Sequence, residues 1–417
     1  MKSAVFLICC VVILMHHVSD ANDVVKIEKK PVPAKVSITF PLGTATPSEV
    51  CAECHRALYQ EHSHGYGSDN VAMAINSSAF RKRGSGPQFA ASPRGSAHAL
   101  AGVDMYPQHA RNTEADGKSC NFCHFPQAIT LPPLDSDENH TPAPRQKADE
   151  VGGLTCASCH LTADGKVRAP YNLRAPHENT PDARIKTAVM CAPCHSLGKR
   201  VVGMQSQTYL EWRDDYWKKG LGYNCQNCHM PRTNRSLSEN YDVPERVVAR
   251  HLWTGSRSLQ RLQSALTQTV VQSTIDSSKI EIHLYNVGAG HSVPTGSNRR
   301  ALYLQAEALD ANGLSVVKQE WLFAPWYGDR PDDKAFLEED KKRPDAVAVM
   351  QADAQGPHEQ VIRAGEERVL TWAPELKPGN YTITTRLMYD LNRYNERTDC
   401  KDQTVIGTTK TPIRVAR

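Results

Sequence analysis

The sequence has no run of about 20 apolar residues, the length that a membrane-spanning helix needs. Its longest apolar run covers only residues 4–15. It also has no clustered stripe of basic residues, and its 49 Lys and Arg are nearly balanced by 45 Asp and Glu. We therefore expect a chain that does not span a membrane and does not bind nucleic acid.

The short apolar run has the surroundings of a secretory leader. Lys2 precedes it, and the small residues Ser19 and Ala21 occupy the −3 and −1 positions of a cleavage site after Ala21. This layout predicts export to the periplasm or to the outside of the cell. The alternative is a lipoprotein anchor at Cys9 or Cys10.

Cysteine has the clearest pattern of any residue type. Ten of the 13 cysteines lie in five C-x-x-C-H motifs, at residues 51–55, 120–124, 156–160, 191–195 and 225–229. Two thiols three residues apart can add to the two vinyl groups of a haem, and the following His then becomes an axial iron ligand. A zinc site or a redox pair would not need five copies that each end in His. The motifs therefore predict five haem c groups.

The motifs define two sets of predicted ligands. The thioether residues are Cys51, Cys54, Cys120, Cys123, Cys156, Cys159, Cys191, Cys194, Cys225 and Cys228, and the proximal iron ligands are His55, His124, His160, His195 and His229. Outside the motifs and the leader, Cys400 stands alone as a buried free thiol, an intermolecular disulfide partner or an incidental residue. Because each oxidised haem with two His ligands adds about −1, the formal charge of +4 becomes roughly −1 in the loaded protein.

The residues around the motifs resemble a known family. The segment CAECHRALYQEHSHGYG, from Cys51, is similar to the opening of the multihaem cytochromes related to the tetrahaem cytochrome of ammonia oxidisers. Further similar segments are residues 207–212 (QTYLEW), 225–231 (CQNCHMP), 250–255 (RHLWTG), 175–177 (APH) and 288–296 (GAGHSVPTG, against A-G-H-x-x-P-T-G). The resemblance implies four distal iron ligands, with His62 as the alternative to the first: His64, His177, His251 and His291.

A fifth distal ligand has to come from the remaining histidines. The candidates are His98, His109 and His140, and we choose His98 because the small residues around it would let a flat haem approach closely. A methionine ligand such as Met73 or Met105 is the alternative, and it would raise the reduction potential of that haem.

The pattern of apolar and polar residues changes along the chain. Roughly forty residues per haem are too few for an ordinary side-chain core, so we expect the porphyrins to form it. Residues 245–268 have helical character, and the following segments alternate apolar and polar residues at the period of β-strands. The prediction is an α+β multidomain chain: a signal peptide at 1–21, an extended lead-in at 22–46, a haem-packed, mostly helical or irregular pentahaem cytochrome c domain at 47–264, and an Ig-like antiparallel β-sandwich at 265–417.

Two functions of different class are compatible with this pattern. We favour electron transfer between other redox proteins, such as cytochromes, quinol-linked donors and terminal acceptors, because histidines are plentiful enough to give every iron two axial ligands. The alternative is a haem enzyme in which one five-coordinate haem reduces or oxidises a small nitrogen or sulfur compound. The sequence has no C-x-x-C-K motif of the kind found in one such reductase family. The sequence is also compatible with assembly into a homo-oligomer or a haem-lined filament.

Overall fold

The computed structural model describes residues 29–40, 48–64, 129, 131, 154–196, 207–256, 258–296, 300–325, 346–348, 361–391 and 403–416. In these residues, short helices are followed by a larger set of mainly antiparallel strands, which confirms the α+β class. In the described part of the chain, no helix is both long and apolar enough to cross a membrane. The domain boundaries and the haem-packed character of the first part remain predictions.

The helices of the first part are short, and three of them coincide with C-x-x-C-H motifs. They are α1 Ser48–Ala52, α2 Arg56–His64, α3 Cys156–His160, α4 Ala192–His195, α5 Thr208–Trp212 and α6 Cys225–His229, with 3-10 turns at Ala183–Lys186 and Ala188–Met190 and a π-helical turn at Arg213–Trp217. The residue before the second motif cysteine helps to start two of them. Ser158 Oγ accepts from the N–H of Thr155 at 3.0 Å, and Asn227 Oδ1 accepts from the N–H of Asn224 at 2.9 Å.

Two small sheets lie among these helices. Strands β1 Val167–Ala169 and β2 Asn179–Pro181 are parallel, whereas β3 Arg232–Arg235 and β4 Arg246–Ala249 form an antiparallel pair. The β3–β4 pair begins shortly after the last C-x-x-C-H motif and ends just before His251. The described part of the lead-in contacts this region through isolated bridges from Lys30 to Tyr241 and from Ile38 to His177.

The predicted helix at residues 245–268 is mostly wrong. Among the described residues of this range only α7, Leu259–Ala265, is helical, and it begins where Ser258 Oγ accepts from the N–H of Arg261 at 3.3 Å. The chain on its N-terminal side is strand β4, and the chain on its C-terminal side is strand β5, Leu266–Gln272. Tertiary packing overrides the helical pattern there, because Leu266 and Val270 of β5 are buried in a core between sheets.

The second part of the chain contains two larger sheets. Its remaining strands are β6 Ile280–Asn286, β7 Ala301–Leu309, β8 Ser315–Phe323, β9 Ala346–Ala348, β10 Glu367–Trp372, β11 Gly379–Asp390 and β12 Gln403–Val415. One sheet has the order β10-β6-β5 and the other the order β12-β11-β7-β8-β9. All pairs are antiparallel except β8 with β9, which corrects the expectation of a purely antiparallel arrangement.

Both large sheets contribute to one core. On β6 the buried residues Ile280, Ile282 and Leu284 alternate with partly exposed ones, so one face of the strand is apolar. These side chains share a cluster with residues of the other sheet such as Leu304 and Ile383. The two sheets therefore bury their apolar faces together, as two-sheet packing requires.

Candidate haem-binding site

Four of the five C-x-x-C-H motifs lie in the described residues, and each forms about one helical turn. In the motif at 51–55, the N–H groups of Cys54 and His55 both donate to the carbonyl oxygen of Cys51, at 3.2 and 2.9 Å. The motifs at 156–160 and 225–229 are the helices α3 and α6. The motif at 120–124 lies outside the described residues.

Thiols that belong to different motifs are neighbours. Cys51 makes a side-chain hydrogen bond with Cys156, and Cys191 makes one with Cys225. Each hydrogen bond lowers the pKa of the acceptor thiol, Cys156 or Cys225, below its usual value. The first motif is therefore adjacent to the third, and the fourth to the fifth.

A further contact joins the third motif to the fourth. Cys159 and Met190, the residue before Cys191, both pack against the buried pair Ile129 and Leu131. Burial raises the pKa of the Cys159 thiol to about 12. The four described motifs thus follow one another in space in the order first, third, fourth and fifth.

Three motif histidines each face one of the predicted distal histidines. The ring centroids are 6.4 Å apart for His55 and His177, 6.0 Å for His160 and His251, and 6.2 Å for His229 and His291, with interplanar angles of 51°, 38° and 13°. Two metal–nitrogen bonds of about 2 Å each, plus the distance from each nitrogen to its ring centre, amount to roughly 6 Å. The separation of each pair therefore fits two axial ligands on opposite sides of one iron.

Three of the proximal rings, those of His55, His160 and His229, are oriented by backbone carbonyls. Each uses Nδ1 as the donor: His55 to Leu237 O at 2.5 Å, His160 to Arg168 O at 3.1 Å, and His229 to Thr254 O. This bond selects the tautomer whose Nε2 is free for a metal, and it increases the basicity of the ligand. Leu237 and Arg168 lie outside the recognisable motifs and Thr254 lies in the 250–255 segment, but the acceptors are backbone carbonyls, which no residue type reveals.

Burial favours the neutral form of His160, His177, His229, His251 and His291, because it lowers the pKa of each. It lowers the pKa of His229 to about 4 and that of His251 to about 3, because an imidazolium loses its hydration inside the protein. Neutral imidazole is the form that binds iron. The Nδ1 atoms of His177 and His251 are buried without a hydrogen-bond partner in the described residues.

His62 has a different environment from the paired histidines. Its Nε2 donates to the carbonyl oxygen of Leu154 at 2.8 Å, and its Nδ1 accepts from the indole N–H of Trp253 at 3.3 Å. Both ring nitrogens are therefore occupied, which leaves no lone pair for an iron. Of the two alternatives at this position, the arrangement favours His64, whose side chain lies outside the described residues.

The loop that carries His291 is held from both parts of the chain. Asn286 Nδ2, at the end of β6, donates to the carbonyl oxygen of His291 at 2.8 Å. From the first part, Glu211 Oε2 in α5 accepts from the N–H of Ser292 at 3.1 Å and from the hydroxyl of Thr295 at 2.7 Å. The loop therefore places its imidazole opposite His229 by means of contacts to two separate elements.

The donor set suits a haem better than a bare metal ion. Among the described residues, no group of three or more His, Cys, Asp or Glu side chains could hold a metal by itself. The imidazoles instead occur in facing pairs, and each pair includes the histidine of a C-x-x-C-H motif. The residues present thus fit a covalently attached haem with two axial histidines.

Comparisons with known proteins add one structural likeness. No protein-family model matches this chain, and no curated protein matches it. The crystal structure of a penta-heme cytochrome c552 from Thermochromatium tepidum is similar with a TM-score of 0.48 and 17% identity, over 88% of this chain and 99% of that chain.

Several predicted residues lie outside the described part of the chain. They are Cys120, Cys123, His124, His98, His109, His140, Met73, Met105 and Cys400. His195 is described and exposed, and it lies close enough to His291 for the two rings to interact electrostatically. His283, in strand β6, bonds through Nδ1 to Glu367 Oε1 at 2.5 Å and faces none of the motif histidines in the described residues.

Proposed function

We propose that this chain is an exported multihaem c-type cytochrome that transfers electrons through five haem c groups. The observation that carries the proposal is the set of three facing imidazole pairs, each about 6 Å across and each built on a C-x-x-C-H histidine. An iron with an imidazole on both sides has no open position for a substrate, which favours electron transfer over catalysis.

The proposed axial pairs follow from this geometry. His177 serves the motif at 51–55, His251 the motif at 156–160, and His291 the motif at 225–229. His64 and one residue among His98, His109 and His140 then serve the motifs at 120–124 and 191–195. Each haem supplies an iron that takes up and releases one electron, and the residues of the chain set the ligation, burial and local charge on which its potential depends.

The contacts between motifs support a continuous path. Because Cys51 touches Cys156 and Cys191 touches Cys225, groups attached to these thiols would lie close to each other. The packing of Cys159 and Met190 on a shared apolar pair connects the two halves of the path. We propose that electrons move through the first, third, fourth and fifth motifs in this spatial order.

The two proposed domains have different roles. The segment 47–264 would hold the haems, and the segment 265–417 would contribute His291 from a β-sandwich, so the second domain would complete the last site of the path. Export is inferred from the leader pattern at residues 1–21, and the partners would be other redox proteins.

One set of measurements tests this function. The mass of the mature protein and its alkaline pyridine spectrum should both give five covalently bound haems. Electron paramagnetic resonance of the oxidised protein should show only low-spin ferric haem, unchanged by nitrite, hydroxylamine or cyanide. A high-spin signal that responds to one of these ligands would contradict the proposed electron-transfer function and would support the alternative, a haem enzyme.

A further inference from the structure

Glu61 is a buried carboxylate that the proposed iron ligation does not use. It lies in α2, which begins directly after the proximal ligand His55, and its side chain is only 8% exposed. Its Oε1 accepts from Arg235 Nη1 at 2.9 Å and from Arg250 Nε at 2.7 Å. Its Oε2 accepts from Arg235 Nη2 at 2.7 Å and from the backbone N–H of His251 at 3.0 Å. Four donors therefore fill the four lone-pair positions of one carboxylate.

The next residue of α2 holds the same segment from its other side. His62 Nδ1 accepts from the indole of Trp253, and this indole packs edge-on against the imidazole of His251, with centroids 5.6 Å apart and planes at 89°. Trp253 has a φ of 53°, a conformation that residues with a side chain rarely adopt. Two consecutive residues of α2 thus fix the backbone and the ring neighbour of His251.

The charges in this cluster favour a role beyond packing. A buried ion pair often contributes no more stability than apolar residues of the same volume, so stability alone does not account for a carboxylate here. The cluster contains one carboxylate and two guanidinium groups beside His251, whose ring faces His160 at 6.0 Å. Charges this close to an iron ligand change the relative stability of the oxidised and reduced site.

We propose that Glu61 is a positioning residue for His251 and that, together with Arg235 and Arg250, it sets the reduction potential of the haem at motif 156–160. This inference rests on the proposed function. It also implies that the helix after the first motif controls the axial ligand of the third motif, so the two neighbouring sites are coupled through one carboxylate.

The test replaces two residues of opposite charge, one at a time, in the full-length protein with its haems attached. Glu61→Gln removes a negative charge and should shift the potential of one haem to more positive values, because the reduced site carries one electron more. Arg250→Gln removes a positive charge and should shift the potential of the same haem to more negative values. The second shift should be smaller, since the Arg250 side chain is 43% exposed and partly screened by solvent. A purely structural role would not give shifts of opposite sign.

Electron paramagnetic resonance provides the second measurement. Glu61→Gln should change the g values of one low-spin ferric haem, because the amide replaces one of the two acceptor oxygens by an NH2 donor among groups that all donate. Glu61→Asp, which keeps both oxygens, should restore them in part. Glu245→Gln is the matched control. Glu245 is an exposed carboxylate next to the β3–β4 pair, and its Oε2 accepts from Asn234 Nδ2 at 3.2 Å. This variant should leave every haem unchanged.

The outcomes separate this inference from the proposed function. Fewer than five low-spin haems in the unmodified protein would count against the proposed function. Five normal haems in the unmodified protein, with no shift in a folded Glu61→Gln variant, would overturn the role of Glu61 alone. If Glu61→Gln does not fold, Arg250→Gln decides: a negative shift of one haem supports the role, and unchanged potentials refute it. An equal shift in Glu245→Gln would also refute it.

Discussion

Glu211 accepts a hydrogen bond from the backbone N–H of Ser292, the residue after His291, at 3.1 Å. The same carboxylate oxygen accepts from Thr295, so one side chain of α5 holds both ends of the turn that follows the imidazole. Glu211→Ala should lower the free energy of unfolding by about 1.5–3 kcal/mol, the usual contribution of hydrogen bonds to a charged group. It should also change the low-spin signal of one haem, because His291 loses its support from the first part of the chain.

Denaturant titration and electron paramagnetic resonance of the same preparation check the Glu211 prediction. Glu375→Ala is a suitable control, because Glu375 is an exposed residue of the second part of the chain. If Glu211→Ala loses stability while all haem signals stay unchanged, Glu211 stabilises the fold without orienting His291.

Gly288 packs directly against the backbone that precedes β5. A Cβ atom at this position would lie 1.7 Å from the carbonyl oxygen of Ser264, a distance that the backbone can relieve only by moving. Gly288→Ala should therefore destabilise the protein by about 3 kcal/mol or more, which is at the upper end of the range of destabilisation found for overpacked sites. At Gly379 the nearest atom would lie at 3.5 Å, so Gly379→Ala should be close to neutral. Thermal unfolding of the two variants side by side gives the comparison.

The sequence predicts five haem sites and their covalent residues, because attachment chemistry confines two thiols and an imidazole to five consecutive residues, and both stay predictions. Which histidines face one another could not be predicted. His177 precedes the motif at 191–195 along the chain, yet it faces His55. Such a pairing depends on how distant segments pack, and local spacing carries no information about it.

The β-strands were predictable where one face is buried. The alternation from Lys279 to Asn286 matches β6, and the turn at 311–313 connects β7 to β8. The strand β4 was missed because residues 246–249 show no alternation that separates a strand from a helix. Glu61 was missed as well, since a single glutamate in a polar helix gives no sign that two arginines and a distant backbone N–H surround it.

Asp182 should make the free energy of unfolding of the first part of the chain depend on pH in the acidic range. Its carboxylate accepts from Arg184 at 2.8 Å and pairs with the buried Arg168 at 3.3 Å, and the hydrogen bond from Arg184 holds its pKa below the usual value. A depressed pKa means that the carboxylate stabilises the fold above the pKa of the unfolded chain, about 3.9. This contribution is lost as the pH falls through the lower pKa of the folded state.

Asp182→Asn tests this dependence. At pH 7 the variant should be less stable than the unmodified protein by about 1.5–3 kcal/mol, and the difference should shrink steadily as the pH falls below about 4. Urea titrations between pH 7 and pH 3 measure it. Asp164→Asn, at an exposed ion pair with Lys166, should have little effect at any pH. A difference for Asp182→Asn that stays constant down to pH 3 would show that the charge is not the cause.

The two neighbouring histidines of α2 should respond oppositely to substitution. Both ring nitrogens of His62 are engaged, by Leu154 O and by the indole of Trp253, so His62→Gln should keep five low-spin haems. His64→Gln should convert one haem to the high-spin form, because glutamine does not replace imidazole as a strong axial ligand. Absorption and electron paramagnetic resonance spectra of the two variants distinguish these outcomes. A high-spin haem in His62→Gln, with five low-spin haems in His64→Gln, would require α2 to rotate when haem is attached and would assign His62 as the ligand.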